Sequence, residues 1–187
     1  MPFALLTSKE LTTAPAVLDQ VLALNNDHVP AVNRLDAATL RSLVDEACYF
    51  VVAIDDAEAP SSTVAAFMIC MGPGAKYESP NYTYFARMYA ENNDFVYVDR
   101  IVVAPAFQRR GLGRDLYNSV DAFAATAAQE RPGFQPRHVC AEVNIHPPND
   151  ESLAFHARCG FGRVGEQSLG VVDGHEKRVA MLARVLA

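Results

Sequence analysis

The sequence predicts an α/β fold, and three observations predict it. Apolar residues recur at helical spacing in some segments and as short β-type runs in others. The two kinds follow a set order: two helices early, then a strand–helix–strand–helix–strand centre. The breaker-rich stretches at 55–62, 72–81 and 131–137 are short connections within a domain rather than linkers. With 187 residues and no repeat or low-complexity tract, a single domain over 1–187 is expected.

Thr13 and Pro15 open a first helix, with Val17, Leu18, Val21, Leu22 and Leu24 at helical spacing. It runs out at Asn25-Asn26-Asp27-His28, before Pro30. A second helix is expected over 36–46, with Leu40, Leu43 and Val44 on one face. Residues 49–54 and 63–71 read as two strands joined by a turn over 57–62. The 72–81 stretch, with two Gly and two Pro, reads as a loop, and 82–90 as helical. Residues 95–103 form a strong strand closed by Pro105, and 113–129 an Ala-rich helix that buries Leu116, Val120 and Phe123. A strand over 138–143 and a helix over 150–159 follow, the helix stopped by Gly160. Residues 161–168 and 177–185 are two closing strands around the turn dipeptide Asp173-Gly174.

Half the residues are apolar and a fifth charged, which is globular composition and excludes a disordered chain. The net charge of −6 gives no general attraction to nucleic acid or to an anionic membrane. No apolar run approaches a membrane span, and the first residues lack a basic and a long apolar region. Cys48, Cys70, Cys140 and Cys159 form no CxxC pair; Cys70 and Cys140 sit in apolar runs and are expected to be buried, and reduced thiols and a cytoplasmic address are expected. No His/Cys/Asp spacing supports a metal.

Two motifs carry chemistry. In Val102-Val103-Ala104-Pro105-Ala106-Phe107-Gln108-Arg109-Arg110-Gly111-Leu112-Gly113 a buried strand ends and a glycine-punctuated turn opens a helix. A helix start has unpaired N–H groups and partial positive charge, and glycines let an anion approach closely. Arg109, Arg110 and Arg114 add charge there. The turn is therefore either a phosphate or pyrophosphate site or a plain solvated basic turn. It is neither a P-loop nor a dinucleotide GxGxxG motif. The second motif runs from Asn149, a good N-cap, through Ser152, Phe155 and His156 to Gly160-Phe161. By itself it is a short capped helix.

Together and in this order the motifs resemble the GNAT superfamily of acyl-CoA-dependent N-acetyltransferases. Residues 108–113 match its Q/R-x-x-G-x-G/A pyrophosphate loop. Asn149-x-x-Ser152-x-x-Phe155-His156-x-x-x-Gly160-Phe161 looks like its second coenzyme motif, in a form similar to that of phosphinothricin-type enzymes. The resemblance covers 95–168 well and the front third only in element order. It implies a three-layer α/β/α domain whose mixed, mostly antiparallel sheet is splayed at the coenzyme-binding strand. It further implies acetyl-CoA as co-substrate, possible homodimers, and direct attack of an amine without an acyl-enzyme.

Carried over residue by residue, the resemblance places the pantetheine arm on Ile101, Val102 and Val103. It places the pyrophosphate on the loop of Gln108, Arg109, Arg110, Gly111, Leu112, Gly113 and Arg114. Asn149 and Ser152 are the further coenzyme contacts. His156 stands where many relatives carry the Tyr thought to protonate the leaving thiolate; it either does this or packs. An amine is protonated at neutral pH, so a base is needed. Asp99 and Glu142, on adjacent strands, are the candidates, against the alternative that Asp99 is ion-paired with Arg100. Substrate contacts are expected from Asn25, Asn26 and His28, and from the aromatic stretch with Tyr77, Asn81, Tyr82 and Tyr84, which otherwise packs on itself.

The expected function is acetyl transfer from acetyl-CoA to a primary amine of a small molecule, with neither nucleic acid nor membrane as partner. The rivals are acetylation of a protein lysine or N-terminus, and a non-catalytic CoA-binding regulatory module.

Overall fold

Helical and extended segments alternate along the chain much as their apolar spacing predicts. The computed structural model describes residues 3–7, 15–55, 63–89, 94–172 and 174–186. Among these are seven strands and five helices. They are β1 (Ala4–Thr7), α1 (Pro15–Asn26), α2 (Ala37–Glu46), β2 (Tyr49–Asp55), β3 (Thr63–Met71) and α3 (Pro80–Tyr89). There follow β4 (Phe95–Val103), a 3-10 turn (Pro105–Phe107), α4 (Leu112–Glu130), β5 (His138–His146), α5 (Asp150–Arg158), β6 (Gly162–Val172) and β7 (His175–Val185). The expected cap Thr13, the turn over 57–62 and Asp173 lie outside the described residues. Among the described residues no helix is long and apolar enough to cross a membrane.

The strands form one mixed sheet in the order β1-β2-β3-β4-β5-β7-β6. The β1–β2, β2–β3, β5–β7 and β6–β7 pairs are antiparallel and β4–β5 is parallel. The parallel register joins only Phe95 to His138, Val96 to Val139 and Tyr97 to Cys140, although each strand has nine residues. Beyond Tyr97 the two strands are no longer paired, the separation expected of a sheet splayed at this strand.

The chain forms two compact units, each from two separate stretches. The first comprises Met1–Cys70 and Arg100–Val120, the second Met71–Asp99 and Asp121–Ala187. In the first unit Val17, Val21, Leu40 and Leu43 bury one face of α1 and α2. β2 and β3 are buried along almost their whole length. Asp36 caps α2, its carboxylate accepting from Thr39 N–H at 2.7 Å. In the second unit Phe85, Phe95, Tyr97, Val139, Cys140 and Met181 are fully buried.

The largest departure from the sequence reading is α3, which begins at Pro80 within the expected loop. Proline suits a first helical turn, where its missing N–H costs nothing. Asn81, Tyr82 and Tyr84 are therefore helical. Tyr82 is buried, its ring against Tyr77, Phe95 and Tyr97. Its hydroxyl donates to the Gly72 carbonyl at 2.9 Å and accepts from Ala75 N–H at 3.0 Å. It pins the turn before α3. Tyr82→Phe deletes both bonds and should cost about 1–3 kcal/mol of stability. The check is a lower urea midpoint at unchanged slope, with unaltered Michaelis constants for both substrates.

At the end of the sheet, β6 pairs with β7 through two register shifts, between Arg163 and Gly165 and between Ser168 and Val171. Glu166 is ion-paired to Arg163 and to Arg178. A side chain at Gly165 would collide with the Tyr84 hydroxyl, which lies against this strand. All four cysteines are free thiols; Cys70 and Cys140 are buried, and burial pushes the Cys140 thiol well above the usual range.

Candidate active site

In the first unit the end of β4 alternates: Ile101 and Val103 are partly exposed, while Arg100 and Val102 are buried. The loop after it is held from within. Gln108 Nε2 donates to the Val103 carbonyl at 3.2 Å, tying the loop's start to the strand's end. The Arg110 guanidinium stacks over Phe107 at 5.4 Å. Arg109, at φ 62°, and Gly111, at φ 92°, both lie in the left-handed region. Left-handed residues within such a turn bend successive N–H groups into an anion-binding concavity. Leu112, buried, anchors the first turn of α4, and the Arg114 N–H is spent on the Gly111 carbonyl at 2.8 Å. The cradle therefore rests on the amides around 109–113 at a helix N-terminus, with Arg109, Arg110 and Arg114 exposed beside it. This donor set suits the paired phosphates of coenzyme A.

The second unit gathers several of the titratable candidates. On one face β4 presents Phe95 and Tyr97, and the register sets them beside His138 and Cys140 of β5; Asp99 and Glu142 follow on that face of each strand, past the paired stretch. The Tyr77 hydroxyl donates to Asp99. The Arg100 guanidinium, the next residue on the strand, donates to Asn25 Oδ1 at 2.9 Å in the first unit. Glu142 is half-buried as a residue, with Oε2 fully enclosed. Burial first, then the Asp99 carboxylate, push its carboxyl up to about 7, while contacts from the Tyr97 hydroxyl and the Asn81 amide pull the other way. Neither Tyr97 Oη nor Glu142 Oε2 has a well-aligned hydrogen bond among the described residues, so the two approach only loosely. Burial, then Glu142 and Asp99, hold the Tyr97 hydroxyl well above the usual tyrosine range, so it stays protonated. The cluster thus offers one carboxyl raised to near neutrality beside one hydroxyl that keeps its proton.

Helix α5 carries the second motif. Asn149 is its N-cap, its side chain accepting from Ser152 N–H at 3.2 Å. His156 is buried between Phe155 and Phe161. Its Nδ1–H donates to the Ser152 carbonyl at 2.8 Å, which leaves the lone pair on Nε2. Burial lowers the pKa of the ring, so the neutral form prevails at neutral pH. An imidazole in that state accepts at Nε2, which does not suit the donor role expected of it.

The expected substrate residues divide. Asn25 is fully buried and bonds Asn26, the Asn33 carbonyl and Arg100. Asn26 clamps both the N–H and the carbonyl of Leu35 at 2.9 Å. His28 bonds the Leu24 carbonyl at 2.8 Å. These three side chains staple the end of α1 and are occupied with the fold. Tyr77 holds Asp99, and Tyr82 belongs to the core. Tyr84 lines a groove of about 760 Å³ along α3, with Glu78, Ser79, Pro80, Thr83, Arg87, Met88 and Gln167. Sequence reasoning missed Gln167, whose Nε2 donates to Asn81 Oδ1 at 2.9 Å; a glutamine in an exposed strand carries no local signal for this.

Comparison with known proteins follows the same lines. Residues 27–161 match the family described as the Acetyltransferase (GNAT) family. No curated protein matches the chain. Among solved structures, Arabidopsis thaliana NAA60 in complex with acetyl-CoA is 16% identical, with TM-score 0.73 and 98% of each chain covered. A phosphinothricin acetyltransferase from Sinorhizobium meliloti in complex with AcCoA is 17% identical, with TM-score 0.67, covering 100% of this chain and 90% of that one. The ribosomal-protein-S18-alanine N-acetyltransferase from Escherichia coli is 13% identical, with TM-score 0.63, covering 99% and 94%.

Proposed function

The chain belongs to the GNAT acetyltransferase family, with acetyl-CoA as co-substrate, and from that premise we propose that its acceptor is a primary amine of a small molecule. The observation that carries this reading is the groove along α3. Its volume of about 760 Å³ falls within the roughly 300–1,000 Å³ of small-ligand sites. Its walls combine Tyr84, Met88 and Pro80 with the charges of Glu78 and Arg87. Gln167 in that wall bonds Asn81, whose amide acts on the Glu142 carboxyl.

Bound acetyl-CoA supplies the thioester carbonyl as electrophile. The amides around Arg109 to Gly113 hold its pyrophosphate. Glu142 takes the proton that the amine loses as the nitrogen–carbon bond forms and the carbon–sulfur bond breaks. With a carboxyl near 7, it passes that proton to water within the cycle, and the CoA sulfur leaves as the thiolate and takes a proton from solvent. Tyr97 steadies the carboxylate, and His156 packs α5 against Phe161.

The test is a panel of free amino acids, polyamines and other small amines against peptides with free N-termini or lysines, read by release of the CoA thiol. At least one small amine should exceed every peptide in kcat/KM by about tenfold or more. A peptide ahead by that margin would move the acceptor to the protein class.

A further inference from the structure

Within the second unit, β5, β7 and β6 are neighbouring strands, and one helix covers the face that carries Glu142. Glu142 pairs with Met181 of β7, and Met181 with Gly165 of β6. Asn144 pairs likewise with Val179, and Val179 with Gln167. Directly paired residues share a face of a sheet, so Gln167 and Gly165 stand on the Glu142 face, two strands away. Helix α3 covers that face: Tyr84 lies against Gly165, while Tyr82 and Phe85 pack on Tyr97. Asn81 is on the same helix and buried.

An asparagine amide has one acceptor and one donor end, and which way it points is decided by its partners. Gln167 Nε2 occupies Asn81 Oδ1 at 2.9 Å. The end left to face Glu142 is the NH2 group. Without Gln167 the amide is free to flip and present its oxygen to a carboxylate.

We propose that Gln167 and Asn81 are positioning residues for the base: Gln167 locks the Asn81 amide so that its N–H donates into the Glu142 carboxyl, and through this relay the groove along α3 sets the readiness of the base. The proposal rests on the reading of Glu142 as the base. The donor end of the Asn81 amide favours the ionised carboxylate, against burial and the Asp99 charge. The other titratable groups around Glu142 are Asp99 and Tyr97 on β4, with Tyr77 bonded to Asp99. On the same face β7 presents Met181 and, one strand further, β6 presents Gly165, neither of which titrates, and α3 adds the Tyr82 and Tyr84 hydroxyls. A ligand in the groove that takes the Gln167 amide for itself would release Asn81 and weaken the base.

The experiment compares Gln167→Met and Asn81→Ala with the parent in two readouts: the pH profile of kcat/KM with one fixed amine, and the midpoint of the Glu142 carboxyl by carbon NMR in the protein without substrates. Losing a hydrogen bond to a charged group should move both midpoints upward by about one pH unit. Activity at pH 7 then falls roughly fivefold and returns to near the parental level by pH 9. A structural role alone would lower activity by the same factor at every pH. Gln167 is only half-buried, so Gln167→Met serves if Asn81→Ala fails to fold. Midpoints that stay in place in Gln167→Met overturn the relay. Glu142→Gln runs in parallel. If it keeps parental turnover, Glu142 is not the base, and the NMR midpoint still decides whether the relay holds its carboxyl.

Discussion

Glu142→Gln should lower turnover at pH 8 by about 10²–10⁴-fold, the range of a lost general base, and at the same pH it should make the protein more stable. The second half follows from the direction of the shift. The Glu142 carboxyl sits at about 7 in the fold against 4.5 for an ordinary glutamate. A raised carboxyl favours the protonated form in the native state. Below 4.5 both states are protonated and the residue is neutral in its effect. Between 4.5 and about 7 the unfolded chain releases its proton first, and stability falls as pH rises. Above that window the full deficit, about 3 kcal/mol, is present. Glutamine carries no such deficit. The variant's melting temperature should therefore exceed the parent's by roughly 5–10 °C at pH 8 and match it near pH 4. Thermal melts at both pH values, beside initial rates, check this. An inactive variant that melts below the parent at pH 8 would mean that the carboxylate is held by partners that welcome its charge.

Gly111→Val should raise the dissociation constant for CoA by roughly tenfold to a hundredfold. Gly111 lies at φ 92°, which a β-branched residue enters only at a cost of about 1–3 kcal/mol. Space is not the obstacle, since an added Cβ would meet only the Asp115 carboxylate, at 4.0 Å. The loop relieves the strain by turning residue 111 out of the left-handed region, and the N–H groups on either side turn with it. Titration calorimetry with CoA measures the loss, and a thermal melt confirms that the fold survives. Gly111→Ala should lie between parent and valine. CoA affinity equal to the parent's in Gly111→Val would remove the pyrophosphate from this turn.

Features written into one local stretch could be read from the sequence. β4 is nine residues of strand-forming side chains, and the start of α4 is signalled by glycines and arginines whose chemistry is that of a helix N-terminus. Glu142 stood out as a carboxylate in an apolar strand. β1 was missed because four residues are too few to show a period, and its partner lies more than forty residues away. The start of α3 was missed because Pro80 signals a break as readily as a first turn. Asn25 and Asn26 were read as ligand contacts because a polar pair at a helix end looks the same whether it binds a substrate or the chain's own backbone. The proton state of His156 depends on the Ser152 carbonyl beside Nδ1, a matter of geometry rather than of residue type. The Asn81–Gln167 bond joins residues 86 apart, and no local pattern reports on such a pair.

The two register shifts in β6 bear on how the protein behaves when crowded. An outer strand presents spare N–H and C=O groups that can template a strand of another molecule. In β6 each shift turns part of the backbone away, so only short runs of spare groups remain. Glu166 and its two arginines add charges that an incoming strand would have to strip of water. Self-templated growth along this rim is therefore disfavoured.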